Sequence, residues 1–306
     1  MNLQAHSVIQ ADKGWRIWWQ LTRPHTLTAA FVPVLLGTAL AAKYGTVHIL
    51  LFTAMLIASL LIQAATNMFN EYFDYARGLD NEHSVGIGGA IVRNGVKPNV
   101  VLNLGFSFLG AALLLGIYIS ASSSWWIAAI GLVCMAAGYF YTGGPIPIAY
   151  TPFGELTSGF FMGVVIIQIS FFIQTGYVTS DSILVSIPVS ILIGTILLAN
   201  NIRDLDGDAK SGRKTLAILL GRANAIKLLA SMFIISYSWV IYLVLFIDAS
   251  PWLFITFLSI PKALKAVKGF IGKTEPIQMM PAMKSTAQTN TIFGFLMSIG
   301  IFISYI

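Results

Sequence analysis

Residues 182–200 read SILVSIPVSILIGTILLAN, a run of nineteen residues without a charged side chain. The ten residues that follow, 201–210, read NIRDLDGDAK and contain three aspartates. A bilayer core of about 30 Å requires about 20 mostly apolar residues for each helical crossing. This stretch therefore predicts a membrane-spanning helix that leads directly into an acidic segment at one membrane surface.

The composition of the whole chain extends this prediction. The chain has 306 residues, of which 57% are hydrophobic and 10% charged, and its mean hydropathy is +0.79. A soluble domain is about 45–50% apolar and about 25% charged, and disorder requires low hydrophobicity. The single cysteine, Cys134, excludes an internal disulfide framework. The chain is therefore expected to form an all-α, polytopic membrane bundle.

Nine stretches are long and apolar enough to cross a membrane. The predicted spans are residues 26–44, 49–69, 99–120, 124–142, 153–174, 182–200, 224–247, 250–268 and 286–306. Pro261, Lys262 and Lys265 interrupt the eighth span, so a kink is expected there, with the lysines reaching toward the interface. We interpret residues 1–306 as one domain, with an arm at 1–24 and polar loops at 70–98 and 201–223.

The basic residues predict the orientation. With nine spans, seventeen of the eighteen Lys and Arg residues fall on the side of the N-terminus, and only Lys43 falls on the other. Because cytoplasmic loops are rich in Lys and Arg, the N-terminus is expected in the cytoplasm and the C-terminus outside the cell membrane. This asymmetry accounts for the net charge of +6 without a nucleic-acid partner. Residues 15–19, WRIWW, are typical of an interfacial helix that contacts membrane lipid.

Seven of the twelve acidic residues form two groups on the predicted cytoplasmic side. The first group is Glu71, Asp74, Asp80 and Glu82, preceded by Asn67 and Asn70; the second is Asp204, Asp206 and Asp208, preceded by Asn200 and Asn201. If the second span continues past the membrane, Asn67, Asn70 and Asp74 share one helix face with Glu71. Asp204 and Asp208 are likewise one turn apart.

These acidic groups favour a hard cation. Two carboxylates about 4 Å apart repel each other by about 4 kcal/mol at an effective dielectric near 20. Oxygen ligands without a cysteine or histidine cluster indicate Mg²⁺, which binds through one or two carboxylates together with substrate phosphates. Basic residues that could hold phosphate oxygens lie among the acids: Arg77, Arg93, Lys97, Arg203, Lys210, Arg213 and Lys214. Solvated loops without a metal are the alternative interpretation.

Two motifs in these segments carry a family resemblance. Residues 67–80 read NMFNEYFDYARGLD, and residues 200–208 read NNIRDLDGD, followed by GRKTL at 212–216. With these motifs the chain resembles the UbiA superfamily of intramembrane aromatic prenyltransferases. Residue 78 is glycine, so the next acid after Asp74 is Asp80, and no lysine follows the YTGGP segment at 141–145. Both departures resemble the branch that uses 1,4-dihydroxy-2-naphthoate.

The resemblance implies a reaction and a set of site residues. A polyprenyl diphosphate would transfer its prenyl group to 1,4-dihydroxy-2-naphthoate, with loss of diphosphate and CO₂, to give demethylmenaquinone. The implied Mg²⁺ ligands are Asn70, Asp74, Asp80, Asn201, Asp204 and Asp208, of which Asp74, Asp204 and Asp208 would be catalytic. The implied diphosphate ligands are Arg77, Arg203, Lys210 and Lys214. Tyr139 and Tyr141 would contact the acceptor ring, or would equally be interfacial aromatic residues.

Other interpretations remain open at this point. The acceptor could be another aromatic compound such as 4-hydroxybenzoate. A cation or phosphate transporter is disfavoured, because transporters place ionisable groups near the bilayer midplane rather than at the ends of spans. Glu155 could pair with a basic residue or belong to the site. His83 is interpreted as a solvated loop histidine.

Overall fold

The computed structural model describes residues 14–80 and 89–305, and every regular element within them is helical. The α-helices are α1 Trp15–Leu21, α2 Thr28–Ala41, α3 Ile49–Ala76, α4 Pro98–Ser122, α5 Trp126–Phe140, α6 Gly154–Ser158, α7 Ile166–Thr175, α8 Ser180–Lys210, α9 Leu216–Leu220, α10 Arg222–Phe246, α11 Ile260–Phe270 and α12 Pro276–Ile303. A π-helical segment, Gly159–Val165, joins α6 to α7, so that Gly154–Thr175 forms one continuous helix. Two 3₁₀ segments lie at Ile148–Tyr150 and Pro251–Ser259.

The fold class predicted from the sequence is confirmed. Six helical stretches in the described residues are long and apolar enough to cross a membrane: Ile49–Ala76, Pro98–Ser122, Gly154–Thr175, Ser180–Lys210, Arg222–Phe246 and Pro276–Ile303. Thr28–Ala41 and Trp126–Phe140 are shorter apolar helices. The predicted eighth span is a 3₁₀ segment that changes to an α-helix next to Pro261, where the kink was expected. The number of nine crossings and the orientation of the termini stay predictions.

Helix α8 is the central helix of the bundle. It begins with a capping box, in which the Thr179 hydroxyl accepts from the Ser182 backbone N–H and the Ser182 hydroxyl accepts from that of Thr179. Its Val189, Leu192 and Leu198 side chains are fully buried. Helix α4, by contrast, leaves Leu114 70% exposed, as expected of a helix whose outer face meets lipid. The polar end of α8 is therefore held by a well-packed apolar stem.

Small residues set the spacing of the helices around α8. A Cβ atom at Gly37 of α2 would lie 2.4 Å from the Ile167 carbonyl oxygen of α7. A Cβ atom at Gly163 would lie 2.4 Å from the Cα of Ser190 on α8. Only glycine lets these helices approach so closely, as is usual for helix pairs in membranes.

The predicted loop boundaries at 70–98 and 201–223 are wrong at their starts. Helix α3 continues to Ala76 and α8 continues to Lys210, so Asn70, Asp74 and residues 201–208 lie on the last turns of helices. The apolar pattern ends before the helical hydrogen bonds do, because polar residues still favour a helix where it leaves the membrane. In the arm, α1 exposes Trp15, Trp18 and Trp19. Residues 1–13, Glu82 and His83 lie outside the described residues.

Candidate active site

Arg213 joins the two acidic motifs. Its Nη2 lies 2.6 Å from Asp74 Oδ1 at the end of α3, and its Nη1 lies 3.1 Å from Asp208 Oδ1 at the end of α8. A turn at Gly212, which has a φ of +77°, lets the chain fold back so that the Arg213 backbone N–H donates to the Asp208 carbonyl at 3.1 Å. The structure thus brings Asp74 and Asp208 together around one guanidinium.

Tyr150 packs against that guanidinium. The Arg213 Cζ lies 4.9 Å from the centre of the Tyr150 ring, and the Arg77 Cζ lies 5.3 Å from the same ring. Burial alone would lower the pKa of Arg213, but the adjacent Asp74 and Asp208 carboxylates raise this pKa above its ordinary value. Arg213 therefore stays charged, and it opposes the repulsion between the two carboxylates.

The first motif uses two of its polar side chains to bind other segments of the chain. Asn67 donates to the Thr22 carbonyl at 2.8 Å and to the Thr26 hydroxyl at 2.9 Å. Glu71 Oε1 accepts from the Gly89 backbone N–H at 2.6 Å, and Glu71 Oε2 lies 3.6 Å from Arg23 Nη2. The Glu71 side chain is only 2% exposed. It therefore fastens the arm and the chain after residue 89 to α3.

Asn70 and Arg77 bind the segment after α5. The Asn70 Oδ1 accepts from the Thr142 hydroxyl at 2.8 Å. Arg77 donates to the Thr142 carbonyl through Nη1 and to the Gly144 carbonyl through Nη2, the latter at 2.9 Å. The resemblance implied a diphosphate ligand at Arg77. The hydrogen bonds of its guanidinium instead hold residues 142–144, and a contact with diphosphate stays a prediction.

Asp80 lies close to Asp74. The backbone N–H groups of Leu79 and Asp80 donate to the Asp74 carbonyl at 2.9 and 3.4 Å, so the chain turns tightly after α3. Burial, and then the negative charge of Asp74, raise the pKa of the Asp80 carboxyl to about 6. The Asp80 carboxyl therefore stands in an environment that disfavours an uncompensated negative charge.

The second motif is arranged differently. Asn201 Nδ2 donates to Glu155 Oε1 at 2.8 Å, which places Glu155 beside the motif. Arg203 Nε donates to Asp204 Oδ1 at 2.7 Å, and Arg203 Nη1 lies 3.0 Å from the Met283 sulfur on α12. Arg222 and Asp206 form a further ion pair, and Lys210 and Lys214 are exposed. Of the implied diphosphate ligands, the two lysines are thus the ones that face outward.

The donor atoms of this region suit a hard cation that shares its ligands with a phosphate. Within residues 14–80 and 89–305, no group of three His, Cys, Asp or Glu side chains is placed to hold a metal ion. Asp208 Oδ2 and Glu155 Oε2, however, are buried and lack a hydrogen-bond partner among the described residues. Mg²⁺ needs only one or two carboxylates when phosphates and water complete its shell. The residues present therefore fit a magnesium diphosphate.

A cavity of about 410 Å³ extends from this end of the molecule into the bundle. Its polar lining includes Arg23, Asn67, Asn70, Tyr141 and Asn200. Most of the lining is apolar, with Ile119, Ile127, Leu132, Phe161, Ile169 and Ile196 among its residues. Tyr141 therefore lines the cavity, and its contact with an acceptor ring stays a prediction. Tyr139 instead packs against the rings of Phe69 and Phe73, with centroids at 5.3 and 5.6 Å.

Sequence reasoning missed one contributor to this region, Tyr150, and did not single out two others, Thr142 and Arg213. Tyr150 lies between the motifs in sequence, and no spacing pattern connects it to either of them. Thr142 belongs to the YTGGP segment, which gave the only indication that it mattered. Arg213 was recognised as one of several basic residues, but its simultaneous contact with both motifs depends on a fold contact between residues 139 positions apart.

Comparison with known proteins places these features in context. The model of the UbiA prenyltransferase family matches residues 30–303. The chain is 62% identical over 296 residues to the 1,4-dihydroxy-2-naphthoate octaprenyltransferase of Bacillus subtilis (strain 168), which covers 97% of this chain and 95% of that protein. It is 28% identical over 298 residues to the protein of the same name from Haemophilus influenzae, covering 94% and 96% of the two chains.

Solved structures share the fold. A UbiA homolog from Aeropyrum pernix K1 superposes with a TM-score of 0.67 at 14% identity, covering 92% of this chain and 98% of that one. A UbiA homolog from Archaeoglobus fulgidus bound to DMAPP and Mg²⁺ has a TM-score of 0.61 at 16% identity, covering 92% and 99%. At such identities the likeness establishes the fold alone.

Proposed function

Because the chain belongs to the UbiA prenyltransferase family, we propose that it transfers a polyprenyl group from a polyprenyl diphosphate to 1,4-dihydroxy-2-naphthoate. A carbon–carbon bond forms between the prenyl C1 and the ring, and the bond from C1 to the diphosphate oxygen breaks. The ring carboxylate leaves as CO₂, and the product is demethylmenaquinol, the reduced dihydroxy form of demethylmenaquinone. The observation that carries this proposal is the 62% identity, along nearly the whole chain, to the Bacillus subtilis naphthoate octaprenyltransferase.

The acidic motifs supply the diphosphate end of the proposed site. The proposed Mg²⁺ ligands are Asn70, Asp74, Asp80, Asn201, Asp204 and Asp208. Bound Mg²⁺ would offset the charge of the departing diphosphate. Two observations support this assignment: Asp74 and Asp208 both contact Arg213, and Asp208 Oδ2 has no hydrogen-bond partner within residues 14–80 and 89–305.

Basic side chains are proposed to hold the phosphate oxygens beyond the metal: Arg77, Arg203, Lys210 and Lys214. Lys210 and Lys214 are the stronger candidates, because both are exposed beside Asp208 in sequence. The guanidinium of Arg77 already donates to two backbone carbonyls, and that of Arg203 is paired with Asp204. We therefore expect the arginines to contribute mainly positive potential and the lysines to contribute direct contacts.

The apolar cavity is proposed to take the prenyl tail. Its inner wall consists mainly of aliphatic side chains, and its polar end contains Asn70 and Tyr141 close to the first motif. A chain bound there would have its diphosphate at the motifs and its tail among the helices. The apolar walls would keep water away from the allylic carbon while it carries positive charge. Tyr141 would then face the acceptor ring.

The chain is proposed to lie in the cell membrane with this site facing the cytoplasm. The support is the concentration of seventeen of the eighteen basic residues on the motif side of the predicted topology. A cysteine introduced at Ser211, with Cys134 replaced by alanine, tests the orientation in right-side-out vesicles. A membrane-impermeant maleimide is expected to label this residue only after the vesicles are opened. Labelling of intact vesicles would show that the site faces the outside of the cell.

A direct assay tests the reaction. The purified protein is incubated with Mg²⁺, a polyprenyl diphosphate and either 1,4-dihydroxy-2-naphthoate or 4-hydroxybenzoate, and products are identified by mass spectrometry. Demethylmenaquinol, or demethylmenaquinone where air oxidises it, and CO₂ are expected from the naphthoate, and chelation of Mg²⁺ is expected to stop the reaction. Prenylation of 4-hydroxybenzoate without prenylation of the naphthoate would refute the proposed acceptor.

A further inference from the structure

Tyr150 lies where the two acidic motifs approach each other. Its ring is 5.3 Å from the guanidinium carbon of Arg77, which belongs to the first motif, and 4.9 Å from that of Arg213, which follows the second. A cation near an aromatic face is attracted by the negative charge of the ring electrons. One ring therefore restrains an arginine from each motif.

The backbone around Tyr150 fixes the position of this ring. Tyr150 ends the short 3₁₀ segment Ile148–Tyr150, whose Ala149 N–H donates to the Tyr141 carbonyl at 2.9 Å. The Tyr150 carbonyl accepts from the Lys214 backbone N–H, also at 2.9 Å. The turn that carries Arg213 is thus tied to Tyr150 by both a backbone hydrogen bond and a ring contact.

Arg213 transmits this restraint to the carboxylates. Its planar guanidinium presents donors in fixed directions, so it can meet Asp74 and Asp208 together only in a narrow range of orientations. It uses the Oδ1 atom of each aspartate. Asp208 Oδ2 is left buried and, in the described part of the chain, without a hydrogen-bond partner. The geometry leaves that oxygen available to a ligand.

We propose that Tyr150 and Arg213 form a coupling pair that sets the positions of Asp74 and Asp208 relative to each other. Both are positioning residues, since neither needs to contact the reacting atoms. The inference rests on the proposed function in one respect, namely that these carboxylates meet a magnesium diphosphate. Groups that orient metal-binding side chains commonly change metal affinity or activity by about 10–100-fold when they are removed.

The test uses the full-length protein, purified in detergent, with the variants Tyr150→Leu, Tyr150→Phe, Arg213→Gln and Arg213→Lys. The matched control is Tyr237→Leu on α10, because Tyr237 packs on Phe257 and Phe293 and belongs to neither motif. Two quantities are measured for each variant. The first is the Mg²⁺ concentration that gives half of the Mg²⁺-induced rise in melting temperature without substrate, and the second is the kcat and KM of prenyl transfer.

Tyr150→Leu and Arg213→Gln are expected to raise the Mg²⁺ midpoint about tenfold or more and to lower kcat by a similar factor. Tyr150→Phe retains the ring but loses the hydroxyl that interacts with Arg213, and it is expected to lie between the wild type and Tyr150→Leu. Arg213→Lys should recover only part of the loss, because an ammonium group cannot present the planar pair of donors. Tyr237→Leu should lower the melting temperature without moving the Mg²⁺ midpoint.

The proposal is overturned if Tyr150→Leu and Arg213→Gln keep the wild-type midpoint and kcat while losing only thermal stability. If Tyr150→Leu fails to fold, the two Arg213 variants decide the outcome. Failure of the proposed function gives a different result. In that case the wild type shows the Mg²⁺-induced rise without forming prenylated naphthoate, and the midpoints of the variants still test the coupling.

Discussion

The two acidic motifs use their polar side chains in different ways. In the first motif, Asn67 and Glu71 bind the arm and the chain after residue 89, so this motif is part of the architecture of the bundle. In the second motif, Asp204 and Asp206 pair with Arg203 and Arg222, and the link to the first motif is made by Arg213. We therefore expect substitutions of Asn67 and Glu71 in the first motif to affect stability most, and those of Asp208 in the second motif to affect activity most.

The variant Glu71→Ala, which has the largest expected effect on stability, tests the structural role of the first motif. It removes the acceptor of the Gly89 N–H and the partner of Arg23, and the loss of a hydrogen bond to a buried charged group destabilises a protein by about 1.5–3 kcal/mol. A large fall in melting temperature in detergent is expected. The control Asp206→Ala breaks an ion pair whose aspartate is 66% exposed, and it should change stability little. Equal stability of the two variants would contradict the architectural role of the first motif.

The second variant, Asp208→Asn, tests the functional side of the comparison. It removes a negative charge next to Arg213 from the proposed Mg²⁺ site and is expected to lower prenyl transfer about a hundredfold, which corresponds to about 2.7 kcal/mol of transition-state stabilisation. The melting temperature should change far less than in Glu71→Ala. Asp206→Asn is the control in the same motif and should retain most of the activity. Near-normal turnover by Asp208→Asn would contradict the proposed role of Asp208 as a Mg²⁺ ligand.

Glu155 sharpens the comparison within the second motif. Its Oε1 accepts from Asn201, so Glu155→Ala frees the amide of Asn201 to rotate, and activity should fall about tenfold. Glu155→Gln keeps an oxygen acceptor in the same place and should restore most of that loss. If both variants are equally impaired, the charge of Glu155 matters more than its hydrogen bond to Asn201.

The smallest expected effect concerns Asp80 and the dependence of stability on pH. Its pKa is about 6 in the folded protein and lower in the unfolded chain, so the folded state binds the proton more tightly and stability falls as pH rises between about 4 and 6. Asp80→Asn removes this effect. With Mg²⁺ chelated, the variant should melt slightly higher than the wild type at pH 7.5 but not at pH 4.5. The exposed Glu275→Gln variant is the control, and a similar gain there would contradict the assignment to Asp80.

The sequence could predict which residues share a helix face but not what that face contacts. The spacing of Asn67, Asn70 and Asp74 indicated a common face of a continuing helix, and the structure places all three on α3. The division of labour between Glu71 and Asp74 could not be predicted, because their partners, Gly89 and Arg213, depend on the fold. Tyr150 had no signal in the sequence for the same reason.

The sequence predicted the presence of the helices better than the residues at which they end. The apolar runs end near residues 69 and 200, whereas the helices end at Ala76 and Lys210. Hydropathy reports where the lipid ends, while backbone hydrogen bonding continues into water as long as the residues favour a helix. Most residues of the acidic motifs lie between the end of the apolar run and the end of the helix. Hydropathy alone therefore predicts a loop where the structure has a helix.

The 3₁₀ segment Pro251–Ser259 affects how far its part of the chain can extend. A 3₁₀ helix rises about 2.0 Å per residue, compared with about 1.5 Å in an α-helix, so these nine residues reach about 4–5 Å farther than an α-helix of the same length. The overwound segment thereby carries the start of α11 outward along its axis. In the predicted topology this brings Lys265 and Lys268 closer to the cytoplasmic surface without any added residues, and a deletion of one residue before Pro261 is expected to draw them back toward the hydrocarbon.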